Sequence, residues 1–158
     1  MSETCGKCFD VVIEIPRWGF VKRGSGDHVA FVSPLPCPYN YGAIPQYLGL
    51  DGDLLDALVI GPRLKRGSRL RMPVRAAIGL TDRGMYDDKL IFCAKPLSAV
   101  QRWMVLNFFR CYATFKRVLN FLRRQPGRTA CNGWSDVDDA LAKAQLREED
   151  WSGPRVAF

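Results

Sequence analysis

Apolar positions along this chain follow two different rhythms. Up to Ala94 they form short runs cut by Pro, Gly and Asp; beyond Ser98 they recur at helical spacing. "FDVVIEIP" (Phe9–Pro16) is β-branched and ends at a proline, which predicts a strand. "KRGSG" reads as a turn, and "DHVAFVS" (Asp27–Ser33) as a second strand. "SPLPCPYNYG" (Ser33–Gly42) holds three prolines and a glycine, so it predicts a loop that pairs poorly in a sheet. "DALVIG" (Asp56–Gly61) predicts a third strand, and "RLRMPVRAAIGLTD" (Arg69–Asp82) a fourth, broken at Pro73. "DRGMYD" (Asp82–Asp87) is a turn, and "KLIFCA" (Lys89–Ala94) a fifth strand. Five short strands with closely spaced turn signals point to a small barrel rather than a βαβ sheet.

In the second half, Val100, Trp103, Met104, Phe108, Tyr112, Phe115, Leu119 and Leu122 form one apolar stripe. Arg102, Arg110, Lys116, Arg117, Arg123 and Arg124 interleave with it. The stripe is expected to close over the barrel, with most of the arginines in solvent. "QPGRTACNG" breaks the helix. Ser135 is placed to cap a final helix, "DVDDALAKAQ", whose first-turn carboxylates face the positive end of the helix dipole. The predicted class is α+β, mainly β: a five-stranded barrel flanked by two C-terminal helices.

The totals bound the rest. A chain of 158 residues, 47% hydrophobic and 25% charged, is expected to be one domain over 1–158. Residues 1–8 read as a flexible tail, and 151–158 as a tail without a clear pattern. No apolar run approaches the roughly 20 residues that span a bilayer. "MSETCGKC" lacks the basic and apolar order of a signal peptide, so a cytoplasmic location without membrane association is expected. Cys37, Cys93, Cys111 and Cys131 suit small buried thiols in a reducing compartment. Cys5 and Cys8 form a lone C-x-x-C with no matching second pair for zinc. The net charge of +7 raises the question of a polyanion partner. Yet neither "RLKRGSRLRMPVR" nor the basic helix matches a nucleic-acid motif, and nucleic acid is not the expected partner.

Against that basic background, "LDGDLLDALVIGP" gathers Asp51, Asp53 and Asp56 within six residues. Packed carboxylates raise one another's pKa, and a cation between them relieves the repulsion. Mg²⁺ takes one or two carboxylates together with waters and substrate phosphates. An EF-hand is excluded: Leu55 and Asp56 stand where its loop needs Asp or Asn and then Gly. "TDRGMYDDK" adds Asp82, Asp87, Asp88 and Lys89 between two strands. If both loops open at one end, five carboxylates can meet in one cavity, with Lys89 and Lys22 to hold an anion. A single histidine, His28, leaves a Ser-His-Asp site little to stand on. "GPRLKRGS" is not a P-loop, having five residues between its glycines and no Lys before its Ser. Metal-assisted hydrolysis of a phosphoanhydride by a metal-activated water is the chemistry that remains.

"VVIEIP", "PYNYG", "LDGDLLDALV" and "TDRGMYDDK" occur in that order at compatible spacings. Together they resemble the soluble family I inorganic pyrophosphatases, from about Val11 to Lys89 and more weakly through "FFRCYATFK". The resemblance implies an OB-like barrel, pyrophosphate as substrate, Mg²⁺ (with Mn²⁺ as the alternative) as cofactor, and a homo-oligomer. It implies that Asp51, Asp56 and Asp87 ligate the activating metals, that Asp82 serves a further metal, and that Asp53 orients or deprotonates the attacking water. Glu14 falls on a metal-site or neighbouring position. Lys22, Lys89, Tyr41 and Tyr112 would contact phosphate or the metal shell. Asp88 has no such role and reads as a surface residue.

The same comparison marks departures: Gly24, Val29, Cys37 and Ala113 stand where the family carries Glu, Arg, Tyr and Lys. Arg17, Arg23, Arg63 or Lys116 could replace the lost grip. Two alternatives follow: hydrolysis of a substituted diphosphate or nucleotide, and a non-catalytic OB-like module that binds nucleic acid or phosphate.

Overall fold

The computed structural model describes residues 7–19, 21–23, 29–32, 36–50 and 53–146; the side chains at 21–23, 29–32 and 145–146 are outside that description. His28, Asp51, Cys5 and most of both expected tails therefore lie outside the described residues, as does the Lys22 side chain.

Five strands close on themselves. β1 (Cys8–Ile15) pairs with β4 (Asn40–Leu48), which pairs with β5 (Leu54–Val59). β5 runs parallel to β8 (Lys89–Phe92), β8 pairs with β6 (Arg69–Asp82), and β6 returns to β1. The ring is the expected five-stranded barrel, with every edge inside it paired. Met85–Tyr86 (β7) forms a hairpin with the end of β6, and Gln145–Leu146 (β10) pairs with β4. Val21–Arg23 (β2) and Val29–Val32 (β3) form a separate two-stranded ribbon.

Three expectations change here. The strand expected at Asp27–Ser33 belongs to the ribbon, not to the barrel. Its place in the ring goes to β4, whose start lies in the segment expected to be a loop. β4 tolerates Pro45 because the proline sits in a register shift between Ile44 and Leu48, where no regular ladder bond is needed. It needs Gly42 because a Cβ there would stand 2.2 Å from the Val12 carbonyl oxygen on β1. Nor does Pro73 break β6. It lies opposite Cys8, at the end of β1, and Val74 resumes bonding by donating its N–H to Lys7 O at 2.9 Å.

Strand alternation sorts the apolar residues into two layers. Val11, Ile13, Leu55, Ala57, Val59, Leu90 and Phe92 fill the barrel. Leu58, Ile78, Leu80 and Ile91 point outward and pack under α1 (Ala99–Leu122) with Val105 and Phe109. Ser98 and Gln101 form a reciprocal capping box that starts α1: Gln101 N–H donates to Ser98 Oγ at 3.1 Å, and Ser98 N–H to Gln101 Oε1 at 2.9 Å.

The face that α1 buries differs from the expected stripe. Val105, Phe109, Ala113 and Asn120 are buried. Val100, Trp103, Met104, Phe115 and Leu122 are exposed, together with Val118 and Phe121. Phe108 and Tyr112 of the expected stripe do pack on the core, but the helix is apolar over more of its circumference than a barrel wall can cover, so a periodicity count alone does not pick out the buried face. The helix arginines are exposed, as expected, and two of them also make contacts. Arg102 stacks on Trp134 at 4.7 Å, and Arg117 Nε donates to Thr129 O at 3.1 Å.

The segment expected only to break the helix contains a further strand, β9 (Ala130–Ser135), paired with β6. Ser135 ends that strand. Asp136 caps α2 (Val137–Lys143) instead, accepting from Asp138 N–H at 2.8 Å. No helix among the described residues is long and apolar enough to cross a membrane.

Candidate active site

Period-two alternation builds this site before any side chain is considered. On β5, Leu55, Ala57 and Val59 enter the barrel, so Asp56 points outward with Leu58. On β8, Leu90 and Phe92 enter the barrel, so Lys89 points outward with Ile91. Asp87 lies two residues before Lys89 and falls on the same side. β5 and β8 are neighbours, with Ala57 beside Leu90. The two acidic segments, far apart in sequence, therefore meet on one lysine.

Lys89 Nζ bonds to Asp56 Oδ2 and, at 2.7 Å, to Asp87 Oδ1. Its side chain is 4% exposed. Burial alone would lower its pKa, but the Asp56 and Asp87 charges outweigh that and hold it well above the ordinary value, fully protonated. Asp87 moves the other way for a carboxylate: burial, aided by Asp56, raises its pKa against the pull of Lys89. Tyr41 on β4 lies with its ring 5.8 Å from the same ammonium, and burial followed by the Asp56 charge pushes its hydroxyl up. Tyr41 thus stays a neutral donor in ordinary buffers.

A second centre stands at the end of β6. Asp82 follows Ile78 and Leu80 on the α1 side. Arg83 and Gly84, both with positive φ, make the tight turn that brings β7 back along β6. Asp82 Oδ2 bonds to Lys116 Nζ at 2.8 Å and lies 3.9 Å from Arg83 Nε. Asp82 Oδ1 accepts from Asn120 Nδ2 at 3.1 Å and from Thr129 Oγ1 at 3.3 Å. Burial works to raise the Asp82 carboxyl, yet the hydrogen bond and charge of Lys116 hold it below the usual range. Lys116 also lies 5.7 Å from the Tyr112 ring, and its charge is felt at Asp87. The two centres are therefore electrostatically joined.

The remaining expected residues fall as follows. Glu14 is 3% exposed and sits in β1 at the irregularity between Ile13 and Ile15. Tyr112 lies on the buried side of α1, its hydroxyl raised by burial. Asp53 is exposed at the mouth of β5. Asp88 is not a surface residue: its side chain is 4% exposed, accepts from Leu80 N–H at 3.2 Å and pairs with Lys143 at 3.1 Å. Being one residue from Asp87, it falls on the opposite side of the strand and faces α2.

Among the candidate replacements, Lys116 alone is seen in the site. Arg17 donates to Gly61 O at 3.2 Å, away from the acids. The Arg23 side chain is outside the described residues, and Arg63 is exposed. Ala113, where the family carries Lys, is buried. Asn120 and Thr129 were missed by sequence reading; their only local signal is that each is polar where an apolar residue would be expected beneath a helix.

The structure thus defines an OB-like barrel protein with a charged centre built between its outer wall and a covering helix. The model of the family described as inorganic pyrophosphatase matches residues 11–152. The chain belongs to that family. It is 37% identical over 92 residues to a soluble inorganic pyrophosphatase of Oryza sativa subsp. indica, a match spanning 52% of this chain and 42% of the rice protein. Over 146 residues it is 27% identical to an inorganic pyrophosphatase of Agrobacterium fabrum, covering 83% and 82% of the two chains. The crystal structure of an inorganic pyrophosphatase from Thermus thermophilus superposes with a TM-score of 0.68 at 23% identity, over 90% of each chain.

Proposed function

We propose that this chain hydrolyses inorganic pyrophosphate with the help of divalent cations, Mg²⁺ first and Mn²⁺ as the alternative. The observation that carries the reading is the meeting of Asp56, Asp87, Lys89 and Tyr41 from separate elements, in a chain of this family. The reading is supported by the names of the relatives and by the chemistry of the donors. Hard cations take oxygen ligands, and Asp56 and Asp87 offer two carboxylates to a single ammonium. Among the described residues no three acids, histidines or cysteines stand together as a ready cation site. The trio that would do so includes Asp51. Asp51, Asp56 and Asp87 would hold the metal, with Glu14 beside them. A metal held there supplies charge neutralisation for the phosphates and lowers the pKa of water.

The chain's own groups do the rest. Asp53, exposed just before β5, would accept the proton of the attacking water or aim it. Lys89 and Lys22 bind phosphate oxygens as point charges. Tyr41 and Tyr112, held neutral by their surroundings, donate hydrogen bonds to them. Lys116 offers positive charge one turn from Ala113, so the phosphate grip is rearranged relative to the family. The apolar outer face of α1 is consistent with the homo-oligomer the resemblance implies, which light scattering on the purified protein would test.

Phosphate release from pyrophosphate and Mg²⁺ is the test. The wild type should turn over, and Asp53→Ala should lose about 10²–10⁴-fold in kcat, as expected for removal of a general base. Turnover unchanged in that variant removes Asp53 from its role; no turnover in the wild type removes the reading.

A second reading is favoured by one feature. A shallow groove beside Asp56 and Asp87 is lined by Leu50, Leu54 and Tyr86 together with Asp88 and Lys143. Its apolar wall could seat the substituent of an organic diphosphate. A panel of phosphoanhydrides decides, and pyrophosphate winning by a wide margin ends this alternative.

A further inference from the structure

The Asp82 corner is chemically complete without a metal. A carboxylate offers about four acceptor positions on its two oxygens. Lys116 Nζ stands 2.8 Å from one oxygen, with Arg83 Nε 3.9 Å from the same atom. Asn120 Nδ2 and Thr129 Oγ1 donate to the other at 3.1 and 3.3 Å. Asn120 Nδ2 also lies 3.1 Å from Thr129 Oγ1, and both residues are buried. Arg83 N–H donates to Thr129 Oγ1 at 3.3 Å, so the hydroxyl itself is fixed. Helix, hairpin and β9 thus all contribute a donor to one carboxylate.

A divalent cation arriving there meets two obstacles. Mg²⁺ requires near-octahedral oxygen ligation at about 2.0–2.1 Å, which means displacing donors already in place. It must also approach an ammonium of like charge on the same oxygen, where repulsion is strong because both groups are only 17% exposed. At Lys89 the balance differs: one ammonium serves two carboxylates.

We infer that Lys116 is a resident counter-ion that closes the Asp82 corner to divalent cations, so that the second acidic hairpin gives the metal site Asp87 alone. This rests on the metal-dependent reading above and departs from the metal role that resemblance gives Asp82. Lys116 is here a positioning residue, holding Asp82 and through it the α1–hairpin–β9 junction.

The test counts bound Mn²⁺ from the loss of the free-ion electron paramagnetic resonance signal, on wild type, Asp82→Asn and Lys116→Gln. Circular dichroism checks the fold. Wild type and Asp82→Asn should bind the same number of ions per chain, and Lys116→Gln should gain one. Loss of an ion in Asp82→Asn overturns the inference, as does an unchanged count in folded Lys116→Gln. Should Lys116→Gln fail to fold, Asp82→Asn, which is isosteric, decides alone. If the wild type binds no Mn²⁺, the metal-dependent reading falls. A gained ion in Lys116→Gln would still support the counter-ion, and no gain would overturn it.

Discussion

Two lysines, Lys89 on β8 and Lys116 on the covering helix α1, are shared differently among the acids around them. Lys89 is shared between Asp56 and Asp87, two carboxylates on one ammonium. Lys116 is given to Asp82 alone, with Arg83 close by and two neutral donors on the second oxygen. The carboxyl shifts differ as well: burial raises Asp87 against the pull of Lys89, whereas Lys116 holds Asp82 down against its own burial. The lesson is that proximity of acids does not define a cation site. The ratio of acids to resident cations does, and that ratio is set by which strand and helix each lysine comes from.

The largest effect should come from breaking the shared centre. Lys89→Met leaves two carboxylates facing each other with no ammonium between them. Removing one partner from a buried charge network costs about 3–5 kcal/mol. Urea denaturation in the presence of a chelator should show a loss of that order. Adding Mg²⁺ should recover part of it, because a ligand bound only by the folded state stabilises that state. A loss that Mg²⁺ leaves untouched would mean that Asp56 and Asp87 do not hold the metal.

Lys116→Met should cost less, about 1–3 kcal/mol, because Asn120 and Thr129 stay on Asp82 and only one partner is lost. The same denaturation series measures it. A cost equal to that of Lys89→Met would erase the distinction between a shared and a dedicated lysine.

Most of the shared centre was legible in the sequence, and little of the dedicated one was. Asp51, Asp53 and Asp56 crowd within six residues, which raises the question of a cation. The two-residue step from Asp87 to Lys89 fixes their common face once a strand is assumed. The same step rule separates Asp88 from Asp87, yet a sequence reader cannot see α2 arriving on that side to bury it. Asn120 reaches Asp82 from α1 and Thr129 from just before β9, which pairs with β6 across some fifty residues of chain, a long-range event that local sequence does not reveal. β4 was hidden for a different reason. Its proline and glycine look like loop residues, but Gly42 answers to a close strand crossing and Pro45 to a bulge. The inner face of α1 was misjudged because the helix is apolar on both sides.

Acidity separates the centres next. The folded-state pKa of Asp82 lies below its unfolded value of about 4, so its stabilisation is complete above that pH. It is lost as the pH falls from about 4 through the folded value. In metal-free buffer the stability gap between wild type and Asp82→Asn should be flat from about pH 5 to 8. Below about pH 4 it should narrow. A gap that widens on acidification would mean that Lys116 is not the dominant partner.

The smallest effect extends the series to a third lysine. Lys143 pairs with Asp88 at 3.1 Å and covers the Tyr86 ring at 4.4 Å, but its side chain is 35% exposed. Water screens such a pair far more than it screens Lys89 at 4% or Lys116 at 17%. Asp88 also keeps the Leu80 N–H when the lysine goes, so the buried carboxylate is never left without a donor. Lys143→Ala should therefore cost at most about 1 kcal/mol, the range of solvent-exposed ion pairs. Chelator and Mg²⁺ should make no difference to that cost, because Lys143 and the Leu80 N–H already occupy this carboxylate. A cost that responds to Mg²⁺ would place Asp88 among the groups that compete for the cation, and would tie the two sides of β8 together.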